Sequence, residues 1–230
     1  MLSRRSIICG CICSAVFLNS RPAEAAPKYC SLSANFDVTT FRRYSRSGDQ
    51  RLDRSLIAEL RKVNRVLGIR PGYQYIDDSE SPNAFAHTST IIANTKGSIF
   101  FGLNLFRSEL NSRYGGAAIA GIAAHEGAHI MQFFSDFIGE LQQRQTARDM
   151  ELHADFLAGY FFAASNRTKR SLDSFGKSLF DKGDYDFNNE GHHGTPDQRL
   201  EAMNLGYNSY SQTNGLNEAV RRGIEYVTSI

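Results

Sequence analysis

Two histidines and a glutamate, His125, Glu126 and His129, interrupt a small-residue apolar run, GGAAIAGIAAHEGAHIMQFF, from Gly115 to Phe134. Residues four apart on a helix point the same way, one turn apart, so the two imidazoles share a face. A helix that is apolar nearly all round is a buried helix. Buried His and Glu are costly unless something satisfies them. A divalent metal with a polarised water would satisfy all three groups. The two imidazoles would hold Zn²⁺, and Glu126 would act on the water as general base.

A zinc site that works on a substrate needs a third protein ligand and an open fourth position. The segment Thr146 to Ser165, TARDMELHADFLAGYFFAAS, reads as the next helix, with Leu152, Phe156, Leu157, Tyr160 and Phe161 as its apolar surface. Thr146 and Asp149 read as an imperfect capping box at its start. Glu151 and Asp155 are four apart and share a face. Two carboxylates so placed repel unless a cation or donor lies opposite. Glu151 is therefore assigned as third ligand. Asp155 is assigned to accept a hydrogen bond from the non-ligating N–H of a zinc histidine, which fixes its tautomer. The bland alternative is an exposed acidic stripe paired with Arg144 or Arg148. His153 lies about 200° around the helix from Glu151 and reads as a surface or packing histidine.

A third piece, GHHGTPDQRLEAMNLGY at 191–207, holds His192 and His193 in a Gly-flanked loop, followed by a helix start at Thr195, Pro196 and Asp197. Either histidine is able to coordinate zinc or to donate a hydrogen bond to a developing oxyanion. A metal site prefers pre-positioned ligands. That favours the helix-borne Glu151 as ligand and leaves His193 for transition-state stabilisation, with Arg199 anchoring its loop.

With these pieces assembled, the chain resembles the gluzincin metallopeptidases, and most closely the M48-type group of membrane prenyl-protein proteases and soluble periplasmic relatives. The resemblance rests on PNAFA at 82–86, GSIFFGLNLF at 97–106, AAHEGAH at 123–129, ELHAD at 151–155, and the late His193, Pro196 and Arg199. It covers about residues 55–207. The order Gly127-Ala128 departs from the bulky-residue-then-Gly order of many members, and Gly194 stands where Pro usually follows the late histidine. ELHADFLAG with HGTPDQR is also similar to a group of bacterial neutral zinc metallopeptidases. The resemblance implies an α+β, zincin-like fold, with a small β-sheet on a helical core and the HExxH helix buried. It implies one Zn²⁺ per chain on His125, His129 and Glu151, and a zinc-dependent endopeptidase acting on peptides or unfolded proteins. The alternative is a zinc-bearing binding or chaperone-like module that no longer cleaves. An intact Glu126 speaks against that alternative, since a non-catalytic site needs no base there.

Length and ends add bounds. Residues 1–25 read as a secretory signal peptide: Arg4 and Arg5, an apolar stretch from Ile7 to Leu18, and a small-residue cleavage site at Ala23-Glu24-Ala25. The expectation is an exported protein, periplasmic or secreted. No apolar run elsewhere is long enough to span a bilayer. Beyond residue 25, Cys30 is the single cysteine, so stability must come from a core rather than an internal disulfide. Three Arg and one Glu lie in residues 1–25, and the remainder carries 23 basic and 23 acidic residues. A neutral chain offers no electrostatic footprint for nucleic acid or anionic membranes.

The elements expected to position these groups follow from hydrophobic spacing. Residues 26–50 read as irregular and 51–230 as one domain. Leu52, Leu56, Leu60, Val63 and Leu67 define an amphipathic helix over 52–67, ended by Gly68. Tyr73–Ile76, Ser89–Ala93 and Ser98–Phe101 read as short strands. Further helices are expected near 170–181, 197–205 and 215–228, with a polar loop from Gly183 to Pro196. The strand Ile99–Phe101 is expected at a sheet edge, where it could pair with an extended substrate. An ordinary buried strand fits the same Ile-Phe-Phe run.

Overall fold

The computed structural model describes residues 38–79, 82–180 and 193–230. The signal-peptide reading, Cys30, His192 and most of the Gly183–Pro196 loop fall outside the described residues.

Leucines at helical spacing build α1 (Gln50–Leu67). Asp49 caps it by accepting from the Arg51 and Leu52 amides, and Gly68 ends it with φ 66°. The left-handed conformation there is one that glycine adopts without steric penalty. Four strands make up the sheet: β1 (Arg43–Tyr44), β2 (Gly72–Ile76), β3 (Ala84–His87) and β4 (Ser98–Gly102). So the segment read as irregular contributes a strand. The sheet order is β1-β2-β4-β3. β4 runs parallel to β2 and antiparallel to β3, while β1 runs antiparallel to β2. Among the described residues this gives an α+β architecture of one small mixed sheet and eight α-helices.

Two strand expectations need correction. β4 is interior, between β2 and β3, and the edges are β1 and β3. Both sides of β4 are paired, in parallel to β2 and antiparallel to β3, and it is buried on both faces as well. Ile99 and Phe101 join the main core, while Phe100 packs with Ile76, Phe85 and Val38 in a second cluster. A strand apolar at successive positions is one covered on both sides. Ser89–Ala93 is not a strand. Its β-branched residues are half or fully exposed. With no face to bury, their propensity has nothing to act on. The third strand is Ala84–His87, inside the PNAFA segment.

The remaining helices are α2 (Leu103–Asn111), α3 (Gly115–Phe133), α4 (Ile138–Leu141), α5 (Arg148–Ala164), α6 (Lys169–Phe180), α7 (Pro196–Ser209) and α8 (Leu216–Ser229). α2 and α4 carry no strong sequence signal. Gly102 offers α2 no side-chain cap. The buried Asp78 supplies one from a distance, accepting from the Asn104 and Leu105 amides at 2.7 and 3.0 Å. α7 starts as expected, with a Thr195–Gln198 capping box and Pro196 in its first turn. α5 does not: its N-cap is Ala147 with no side-chain bond. Asp149 is turned instead to Arg144 and Arg148, at 3.0 and 3.1 Å. Those two arginines thus serve Asp149, and neither Glu151 nor Asp155.

Small residues let the helices meet. A Cβ added at Gly159 of α5 would lie 2.0 Å from the Met203 carbonyl of α7, and one at Gly206 would lie 1.8 Å from the Phe156 carbonyl. The two backbones are in direct contact, and α7 is thereby pressed along α5. Gly127 faces Val63 of α1, where a Cβ would sit 2.7 Å from Cγ1. The Gly127-Ala128 order therefore reflects how closely α1 crosses α3. No helix among the described residues is long and apolar enough to cross a membrane.

Candidate metal centre

α3 and α5 pack against each other with their polar residues turned inward. His125, Glu126, His129, Glu151 and Asp155 are each at most 4 % exposed, in a protein interior where an unsatisfied charge is severely penalised. His125 Nε2 and His129 Nε2 lie 3.1 Å apart. Glu151 brings Oε2 to 3.3 Å from the first and Oε1 to 3.4 Å from the second. Ligand atoms around a tetrahedral ion with bonds of ~2.0–2.1 Å are separated by about 3.3–3.4 Å. The separations of the three side chains, 3.1–3.4 Å with one Glu151 oxygen facing each imidazole, are close to those of such a site.

The outer partners fix which nitrogens face inward. Asp155 Oδ1 lies 2.8 Å from His125 Nδ1, and a carboxylate accepts, so Nδ1 carries the proton. Asp155 is itself gripped by Arg199, Nε to Oδ2 at 2.6 Å and Nη2 to Oδ1 at 3.0 Å. Arg199 thus stands behind the site as a two-point hold on Asp155, made possible by the α5–α7 contact. His193 joins the cluster through Glu151, with Nδ1 3.2 Å from the same Oε2 that faces His125. Both Glu151 oxygens are fully buried, and neither is met by an aligned hydrogen bond.

The electrostatics call for a cation. Burial alone would push His125 down, but the Asp155 and Glu151 carboxylates hold it up at about 10. Burial would likewise raise Glu151, yet His193, His129 and His125 around it keep it well below the ordinary carboxylate value. Burial also raises Asp155, and Arg199 followed by His125 reverses this. A proton held among the imidazoles is the least cation the cluster accepts. A metal ion in place of that proton would be held by the Glu151 carboxylate and the two imidazoles. The buried group His125, His129 and Glu151 can hold a metal ion.

His153 is a packing histidine, not a surface one. It is fully buried, edge-on to Phe137 and against Gly223 of α8. Burial, ahead of its other surroundings, lowers it to about 4. Gln132 was missed by sequence reasoning. It is fully buried and its Oε1 lies 2.8 Å from His129 Nδ1. The only hint in the sequence was an amide three residues after His129 on a helix otherwise apolar.

Fold and site together define an α+β protein with a buried His-His-Glu group fit for a metal ion. No family model matches the chain, and neither curated proteins nor solved structures yielded a match to it.

Proposed function

We propose that the protein is a zinc metallopeptidase of zincin-like fold, acting outside the cytoplasm on peptides or unfolded proteins. The observation that carries this reading is the convergence of two imidazole Nε2 atoms and the Glu151 carboxylate, all buried, with Glu126 next to His125 on the same helix. That donor set, two His and one Glu, suits Zn²⁺ with a position left open.

Zinc bound there would supply a Lewis acid that acidifies water and polarises a scissile carbonyl. The protein's own groups do the rest. Glu126 takes the proton of the attacking water and passes it to the leaving amine. His193, beside Glu151, donates a hydrogen bond to the oxyanion as charge develops. Asp155 and Arg199 keep the His125 ring turned so that Nε2 faces inward. β3 is one edge of the sheet and lies against α3, and its outer side, unpaired among the described residues, suits backbone pairing with an extended substrate. This favours internal cleavage of unfolded chains.

The test is zinc content and cleavage of a denatured protein by the purified chain. Near one zinc per chain is expected, with cleavage abolished and zinc retained in Glu126→Gln. Equal behaviour of wild type and Glu126→Gln in every assay would leave a metal-binding module that does not cleave. A wild-type chain that takes up no zinc would overturn the reading.

A further inference from the structure

α3 runs one turn beyond His129 and places the Gln132 amide between three buried groups. Gln132 Nε2 donates to the Met150 carbonyl at 2.8 Å. The same nitrogen lies 3.0 Å from His153 Nδ1. Gln132 Oε1 lies 2.8 Å from His129 Nδ1. A backbone carbonyl only accepts, so the amide has one permitted orientation: NH₂ toward Met150, oxygen toward His129. An oxygen facing His129 Nδ1 requires a proton on that nitrogen. The second amide hydrogen requires a lone pair on His153 Nδ1, which puts the His153 proton on Nε2. That nitrogen faces the Val220 carbonyl of α8 at 3.3 Å. Every polar atom in the chain Val220–His153–Gln132–His129 has a single consistent role, and the chain ends on His129 Nε2.

We propose that Gln132 is a positioning residue for the metal centre: its amide, oriented by the Met150 carbonyl, selects the Nδ1–H tautomer of His129 and so leaves Nε2 to bind the metal. The inference rests on the metal-site reading above and deepens it. The two histidines are then held by unlike partners, His125 by the Asp155 carboxylate and His129 by a neutral amide. A carboxylate makes its imidazole the more basic ligand, whereas an amide sets orientation and tautomer with little added charge.

The experiment compares the full chain with Gln132→Met and Gln132→Glu. Zn²⁺ affinity is measured by competition with a chromophoric chelator, and histidine tautomers by ¹⁵N shifts of the metal-free proteins. Gln132→Met is close in volume and removes the acceptor. It is expected to bind Zn²⁺ about 10–100-fold more weakly, with His129 no longer held as Nδ1–H. Gln132→Glu keeps an oxygen toward His129 while setting a carboxylate against Met150 and His153. It is expected to lose thermal stability but recover most of the affinity lost in Gln132→Met. Equal affinity of wild type and Gln132→Met overturns the proposal, and so does equal loss in both variants, which would mark a packing role only. Should wild type bind no zinc, the metal reading fails by itself. The spectrum then decides Gln132 separately: an Nε2–H His129 in wild type overturns the proposal, and an Nδ1–H ring released in Gln132→Met supports it.

Discussion

Arg199 meets Asp155 through two contacts, 2.6 and 3.0 Å, and the Asp155 oxygen that takes the second also faces His125 Nδ1 at 2.8 Å. α7 thus reaches the candidate metal site through a fully buried carboxylate of α5. Removing one member of a buried ion pair leaves the other uncompensated, which costs about 3–5 kcal/mol. Arg199→Met is expected to lower unfolding stability by about that amount in urea titrations. Asp155→Asn should weaken Zn²⁺ binding by about 10–100-fold. An Arg199→Met protein as stable as wild type would mean the pair is replaceable.

Glu151 and His193 should separate cleanly by metal content. Glu151→Ala removes the carboxylate that bridges both Nε2 atoms, and zinc should be lost. His193→Ala is expected to keep zinc and lower kcat by about 10²–10³, the size of a lost oxyanion donor. Metal analysis beside turnover on a denatured protein decides this. Zinc retained in Glu151→Ala and lost in His193→Ala would reverse the two roles.

The α5–α7 contact should be intolerant of a methyl group. Backbone carbonyls only 2.0 and 1.8 Å from where the added Cβ atoms would lie cannot swing aside as a side-chain end would. Gly159→Ala or Gly206→Ala should destabilise by about 3 kcal/mol, the upper end of ordinary overpacking. Either should also weaken metal binding, because α7 carries Arg199. A chemical-denaturation midpoint within error of wild type would show that the helices can part without consequence.

Removal of the metal should expose how much the fold leans on it. A ligand that binds only the folded state stabilises by about 2.7 kcal/mol when its concentration is a hundred times Kd. The thermal midpoint should therefore fall on chelation and return on adding Zn²⁺. In Glu151→Ala the midpoint should be indifferent to both treatments.

Acid should loosen α1 through its cap. The Leu52 and Arg51 amides hold the Asp49 carboxyl below its ordinary value of 3.8. A carboxyl depressed in the folded state contributes stability above the unfolded value, and that contribution fades as pH falls through the folded value. Asp49→Asn keeps an acceptor for the cap without the titration. The stability difference between wild type and Asp49→Asn should be level above about pH 5 and shift below about pH 4. A difference that is flat throughout would remove Asp49 from the acid response.

The sequence alone was enough for whatever depends on one helix at a time. His125 and His129, and again Glu151 and Asp155, are four residues apart, so helical geometry assigns each pair a common face before any packing is known. The apolar surroundings of HEGAH likewise announced a buried helix, and all five groups are buried. The relationships that depend on two or more elements were decided by tertiary structure. Whether β4 is edge or interior rests on which strands pair along its two sides, and β2 and β3 are separate segments that only the fold brings to it. Arg199 lies 44 residues from Asp155, brought there by two glycines whose missing side chains leave no periodic signal. Gln132 and His153 are ordinary polar residues in sequence. They acquire meaning only because the crossing of α3, α5 and α8 excludes water, so that each must find its partner within the protein.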